Sequence, residues 1–176
     1  MLFRSDGGGL ANLGTATLTN CTVSGNSASV GGGIANQGTL TVDSSTISKN
    51  TATSAGGGIS TTAGSATITN SVINANQVNS SGTALGGGID CENSSLSLTN
   101  CMVNANQANG TNAYGGGIYA LNSTLNLQSC TVNGNKAKGS VKGEGGGIFD
   151  PGSVLTLLST TVKGNKATTA GNDIFP

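Results

Sequence analysis

Gly86-Gly87-Gly88-Ile89 stands near the middle of the chain, and the same four residues return as Gly31 to Ile34, Gly56 to Ile59, Gly115 to Ile118 and Gly145 to Ile148. A leucine version runs Gly7 to Leu10, and a degraded one, Gly171-Asn172-Asp173-Ile174, lies near the C-terminus. Successive starts are 24, 25, 30, 29, 30 and 26 residues apart. A period of that size marks stacked copies of one supersecondary unit, none of which buries its apolar face alone.

Other columns keep step with the glycines. A Val or Ile falls 16 or 17 residues after the first glycine, at Val23, Ile47, Ile73, Val103, Val132 and Val162. Three residues later comes Asn26, Asn50, Asn76, Asn106, Asn135 and Asn165, and two beyond that a small apolar residue, Ala28, Ala52, Val78, Ala108, Ala137 and Ala167. Two residues before each Val or Ile stand Cys21, Ser45, Ser71, Cys101, Cys130 and Thr160, all small and expected to point inward. Further upstream the pattern alternates, as in Ala66-Thr67-Ile68-Thr69, Leu96-Ser97-Leu98-Thr99 and Leu125-Asn126-Leu127. Alternation with β-branched residues reads as strand with its apolar side inward. No 3.6-residue period appears, and the glycine and β-branched content disfavours helix.

Each repeat therefore reads as about three short strands joined by tight corners. A single coil buries about four apolar side chains, worth roughly 1.5–3 kcal/mol each, against about 1–2 kcal/mol for ordering each residue. Only stacked coils with a shared core are stable. The expected fold is an all-β parallel solenoid of about six coils, a single domain over residues 1–176, probed along its axis at the spacing of paired strands. The asparagines are expected to form a ladder at a corner, each amide bonding the next and capping turn backbone. The glycines suit positions of positive φ or close backbone approach.

Composition narrows the function classes. The chain has 30 Gly, 2 Pro, no His, 8% charged residues and zero formal net charge. Strict register of the apolar columns excludes a flexible Gly/Ser linker. A balanced charge argues against a nucleic-acid surface, which needs clustered Lys/Arg. Five of the lysines do gather late, at Lys136, Lys138, Lys142, Lys163 and Lys166. No apolar run approaches the roughly 20 residues of a membrane helix. Met1-Leu2-Phe3-Arg4 is too short for a signal peptide, so a processed form or a fragment of a longer surface protein is expected.

The Gly-Gly-x-Ile blocks alternating with aliphatic-x-x-Asn segments resemble the repeats of chlamydial polymorphic outer-membrane proteins and of bacterial right-handed parallel β-helix surface proteins. The resemblance covers essentially the whole chain, with Val or Ile where that family usually has Phe. It implies a right-handed β-helix, an extracellular or cell-surface location and an adhesive role.

Little chemistry stands out. Absence of histidine removes the commonest general base and metal ligand, and no cofactor or metal is expected. Asp90 and Asp150 both lie just after the Ile of a glycine block, with Glu92 and Glu144 nearby. Such carboxylates serve glycoside hydrolysis when roughly 5–10 Å apart, which makes a polysaccharide lyase or glycosidase a second alternative. The glycine triplets lack the Gly-Lys-Ser/Thr of a phosphate loop. Cys21, Cys91, Cys101 and Cys130 are expected as buried free thiols, because side-by-side parallel positions fit disulfide geometry poorly.

Two features rise above scaffold. The segments after the asparagine are long in the middle coils, 77–85, 107–114 and 136–144, and read as neighbouring loops along one edge, where solenoids often bind. The candidate binding residues are Gln77, Asn79, Gln107, Asn109, Asn112, Tyr114, Lys136, Lys138 and Lys142, with a carbohydrate or cell-surface component as partner. The second feature is a hydroxyl grid on the outward side of the alternating strand: Thr15, Thr17, Thr19, Thr39, Thr41, Ser65, Thr67, Thr69, Ser95, Ser97 and Thr99. Similar arrays belong to ice-binding proteins, the alternative reading, although an exposed strand face favours Thr in any case. Terminal coils without capping helices leave strand edges open, so end-to-end self-association is a further expectation.

Overall fold

The computed structural model describes residues 6–176. Arg4, the only arginine, and the rest of the stretch read against a signal peptide lie outside the described residues. Coil 4, which begins at Gly86, shows the unit: strands Ile89–Glu92, Ser95–Thr99, Met102–Asn104 and Gln107–Tyr114. Each pairs in parallel with its counterparts in the coils before and after, so the chain builds four sheets along the solenoid. Sheet 1 follows the glycines, sheet 2 carries the alternating segment, sheet 3 the Val/Ile column, and sheet 4 the segment after the asparagine.

Sheets 2 and 3 are six strands deep; sheets 1 and 4 have seven. The count of three strands per coil is corrected to four. What the sequence presents as loops along one edge is the fourth sheet: Gln107–Tyr114 and Lys136–Glu144 are strands of 8 and 9 residues in parallel register. Their Ser, Asn and Gly content hid this, because those residues signal turns when read locally. Here each backbone finds its partners one coil away, and Ala108, Ala113 and Ala137 alternate inward, each 0–1% exposed.

The core is a set of columns along the axis. Ile34, Ile59, Ile89, Ile118 and Ile148 stack from sheet 1, Val42, Ile68, Leu98 and Leu127 rise from sheet 2, and Ile47, Ile73, Val103 and Val132 close it from sheet 3. All are fully buried. A narrower second core of Ala52, Val78, Ala84, Ala108, Ala113 and Ala137 lies under sheet 4.

The corner between sheets 3 and 4 holds the asparagine ladder. Asn106 Oδ1 accepts from both the backbone N–H (2.9 Å) and Nδ2 (3.1 Å) of Asn76. Asn106 Nδ2 in turn donates to Ile73 O (3.0 Å) and to Asn135 Oδ1 (3.0 Å), and its backbone N–H donates to Asn135 Oδ1 (2.9 Å). The pattern repeats from Asn26 to Asn165, where the Asp173 carboxylate takes the last rung. Glycine is required alongside it. A Cβ on Gly88 would sit 2.7 Å from Gly117 O and 2.9 Å from Asn106 Nδ2, and Gly86 turns the corner at φ +58°.

A second, smaller ladder occupies the Cys/Ser column. Cys21 N–H donates to Ser45 Oγ (2.9 Å), Ser45 N–H to Ser71 Oγ (3.0 Å) and Cys130 N–H to Thr160 Oγ1 (3.1 Å). All four cysteines are free; Cys91, Cys101 and Cys130 are buried, whereas Cys21, near the end of the stack, is only half-buried. The Cys101 thiol is held well above its ordinary value by its hydrogen bond to Cys130 and by burial.

Candidate functional site

Sheet 4 places the candidate binding residues in ranks on its outer face. Gln77, Gln107 and Lys136 are direct register partners; so are Asn79, Asn109 and Lys138, and, one step on, Thr83, Asn112 and Lys142. Parallel pairing sets the members of each rank about 4.8 Å apart. Asn109 Nδ2 donates to Asn79 Oδ1 across the rank at 2.8 Å. Along the strand Gln107 Nε2 donates to Asn109 Oδ1 at 2.5 Å. The amides are thus oriented before any ligand arrives.

The sheet is interrupted where these ranks meet. Coil 3 breaks between Gln77–Asn79 and Thr83–Leu85, and the register between coils 4 and 5 shifts at Gly110 to Asn112. Irregularities of this kind bend the strand and re-aim side chains. The result is a shallow basin of about 680 Å³ lined by Asn79, Ser80, Asn109, Thr111, Lys138 and Ser140 among others. Lys136 and Lys138 are exposed. Lys142 is not free: its Nζ lies 3.0 Å from Glu144 Oε2 and 5.7 Å from the centre of the Tyr114 ring.

Tyr114 does not belong to the basin. Its ring packs 4.8 Å from that of Phe149, which stacks on Tyr119 at 5.7 Å and on Phe175 at 5.3 Å. These rings fill a groove between the outer face of sheet 1 and the end of sheet 4, because the glycine corner folds the two strands toward each other. The sequence reading missed this groove, for its walls come from different strands and no motif marks it.

Between coils 1 and 4 the same groove is open, about 360 Å³ in volume. The sheet 1 column that forms its floor runs Ala35, Ser60, Asp90, Tyr119, Phe149, Phe175 in successive coils. Val30, Ala55 and Leu85 line the sheet 4 side, and Thr62 and Glu92 flank the floor. Asp90 is 2% exposed. Ser60 Oγ donates to its Oδ2 at 2.7 Å, while Oδ1 has no partner. Burial pushes the Asp90 carboxyl up to about 8; the Ser60 bond opposes the shift and nearby Glu92 adds to it. The same surroundings push Tyr119 up to about 12, with burial the main cause.

Asp150 is elsewhere. It follows Phe149, the last residue of its sheet 1 strand, two coils beyond Asp90. Asp90 lines the groove and Asp150 does not, so the structure does not bring the two carboxylates into that one site. Burial raises Asp150 as well, and its Oδ1 is also unpartnered. Among the described residues no group of three or more His, Cys, Asp or Glu is arranged to hold a metal ion.

The hydroxyl grid of sheet 2 is in register throughout. Thr15, Thr39, Ser65 and Ser95 form one rank, Thr17, Thr41, Thr67 and Ser97 the next, and Thr19, Asp43, Thr69 and Thr99 the third. The third rank is broken by Asp43, whose carboxylate accepts from Thr69 Oγ1 at 2.6 Å and from Asn70 Nδ2 at 3.0 Å. Those bonds, led by that of Thr69, hold Asp43 below its usual value. Further along the face, Val154 and Leu158 replace the hydroxyls and are exposed.

Four parallel sheets, an internal asparagine ladder and glycine corners coincide with a family match. Residues 4–125 match the family described as a right-handed beta helix region. The chain belongs to that family. Its coils are therefore right-handed, as the resemblance to β-helix surface proteins implied. Neither a curated protein nor a solved structure matches the chain. Among the described residues no helix is long and apolar enough to cross a membrane.

Proposed function

We propose that this β-helix is a non-catalytic module of the cell surface or extracellular space, structural or adhesive, that binds a surface glycan through the outer face of sheet 4 in coils 3 to 5. The observation that carries the reading is the set of in-register ranks, Asn79 with Asn109 and Lys138 above all, around a basin where the sheet is broken. Oriented amides and hydroxyls match the alternating donors and acceptors of sugar hydroxyls, and exposed Lys136 and Lys138 favour a glycan that carries carboxylate or sulfate groups. The rest of the molecule, with its repeated columns, serves to hold that face rigid.

Binding to an array of neutral and acidic glycans tests this, with Asn109→Ala and Lys138→Gln as variants. Each is expected to weaken binding about tenfold, as the loss of one oriented polar contact does. Deletion of residues 107–114 is not a suitable variant, since it would remove a strand of sheet 4. Equal binding by wild type and both variants would exclude this face.

The register of eleven hydroxyl side chains on sheet 2, interrupted only at Asp43 over coils 1 to 4, favours a second reading, ice binding. Thermal hysteresis or inhibition of ice recrystallisation that is lost in Thr67→Leu would support it over adhesion.

A further inference from the structure

Asp90 is costly where it stands. The neighbouring coils put Ser60 and Tyr119 at the same register position, so the fold accepts a small hydroxyl or a ring there. A buried carboxyl with one oxygen unpartnered instead destabilises the coil. A buried polar group kept at a cost in stability is where function is expected. Asp90 falls where the groove stops being filled. Beyond Asp90 the rings of Tyr114, Tyr119, Phe149 and Phe175 occupy it, and on the N-terminal side of them it is open.

The lining restricts what fits. No lysine lines the open part, while Asp6 and Glu92 do, which disfavours an anion. Among the described residues Asp6, Asp90 and Glu92 do not come together as a group that could hold a metal ion. What remains is a mixture of polar groups, Ser60, Thr62, Gln37 and the Asp90 carboxyl, whose neutral form burial favours, facing the apolar wall of Val30, Ala55 and Leu85. Its volume lies in the lower part of the range of about 300–1,000 Å³ typical of small-molecule sites.

We propose that the open part of this groove, between coils 1 and 4, is a binding site for a neutral sugar ring, separate from the sheet 4 face. Ser60, Asp90 and Glu92 bond its hydroxyls, and Val30, Ala55 and Leu85 pack against its C–H face. Because Oδ1 of Asp90 is covered, the carboxyl turns toward the groove when a ligand hydroxyl supplies its missing partner. Tyr119 forms the end wall.

The test is titration of the full chain with maltotriose, cellotriose and chitotriose, each to about 10 mM, which detects weak millimolar binding. Backbone amide shifts are followed by NMR. Saturable shifts are expected at Ser60, Thr62, Leu85, Asp90 and Glu92 with at least one of the three sugars. Leu85→Tyr with Asp90→Tyr copies the Tyr114 and Tyr119 pair of the next coil and should close the groove, weakening binding at least about tenfold. Asp90→Asn, which stays neutral with a donor and an acceptor, should hold binding within about threefold, whereas Asp90→Leu should lose about tenfold. Should the double variant fail to fold, Asp90→Leu decides. Asn109→Ala and Lys138→Gln should leave the groove shifts unchanged, which separates this site from the sheet 4 face. No saturable shift with any of the three sugars, shifts confined to sheet 4, or binding indifferent to both the double variant and Asp90→Leu would each overturn the proposal.

Discussion

The asparagine corner and the groove column run side by side along the same solenoid and obey opposite rules. At the corner one residue type persists from Asn26 to Asn165, because each amide is the hydrogen-bond partner of the next. In the groove the residue changes with nearly every coil, from Ala35 through Ser60 and Asp90 to Tyr119 and Phe149. A side chain whose neighbours are copies of itself is constrained by the stack. One that faces outward is constrained only by what occupies the space beyond it.

The contrast can be broken or sharpened by mutation. The largest effect is expected from Asn106→Ala. It strands two donors of Asn76 and removes the side-chain donor to Ile73 O, while the backbone N–H of residue 106 still reaches Asn135 Oδ1. At about 1–3 kcal/mol for each buried group left unsatisfied, the loss should be about 5 kcal/mol. Urea unfolding measures it, and a loss below about 2 kcal/mol would show that the ladder is not the constraint.

Asp90 should give the next largest effect. Its folded value is raised, so the folded state favours the neutral form and ionisation works against folding. The contribution is neutral below the unfolded value near 4 and becomes destabilising as pH rises toward the folded value of about 8. The slope approaches about 1.4 kcal/mol for each pH unit in that window, or about 4 kcal/mol by pH 7. Asp90→Asn should remove that slope, so that wild type and variant converge near pH 4 and separate above it. Parallel stability curves from pH 4 to pH 8 would contradict the burial of this carboxyl.

Phe149→Ala tests the filled half of the groove. The ring is 9% exposed and touches Tyr114, Tyr119 and Phe175, and its loss should cost about 3 kcal/mol in denaturant unfolding. The smallest effect belongs to the corners. Ala105 has φ +53° at a position where coils 1, 5 and 6 have Gly25, Gly134 and Gly164. Ala105→Gly should relieve strain and raise stability by about 1 kcal/mol, measured by thermal or urea unfolding.

Legibility in the sequence followed the same division. The glycine blocks, the asparagine column and the Leu-x-Leu alternation announced a solenoid, a ladder and an apolar core, since each depends on a spacing that repeats. Sheet 4 was read as loops because Asn109, Gly110, Thr111 and Asn112 signal turns locally, whereas the pairing that makes them strand lies 29 or 30 residues away. The candidate residues on that segment do come together, except Tyr114, which joins the aromatic stack, and Lys142, which pairs with Glu144. Asp90 and Asp150 looked alike by their distance from a glycine block. One residue of offset separates them: Asp90 lies within its strand and lines the groove, whereas Asp150 falls just past the end of its own strand.

The sequence by itself determined the class of fold, the axis along which it repeats and the columns that hold it, because these arise from contacts between equivalent residues in successive copies. Only the tertiary structure decided that a coil has four sides, that a groove forms between sheets 1 and 4, and that Asp90 lies buried at its floor. Those depend on how the glycine corner brings non-equivalent strands together, and a periodic pattern carries no record of that angle.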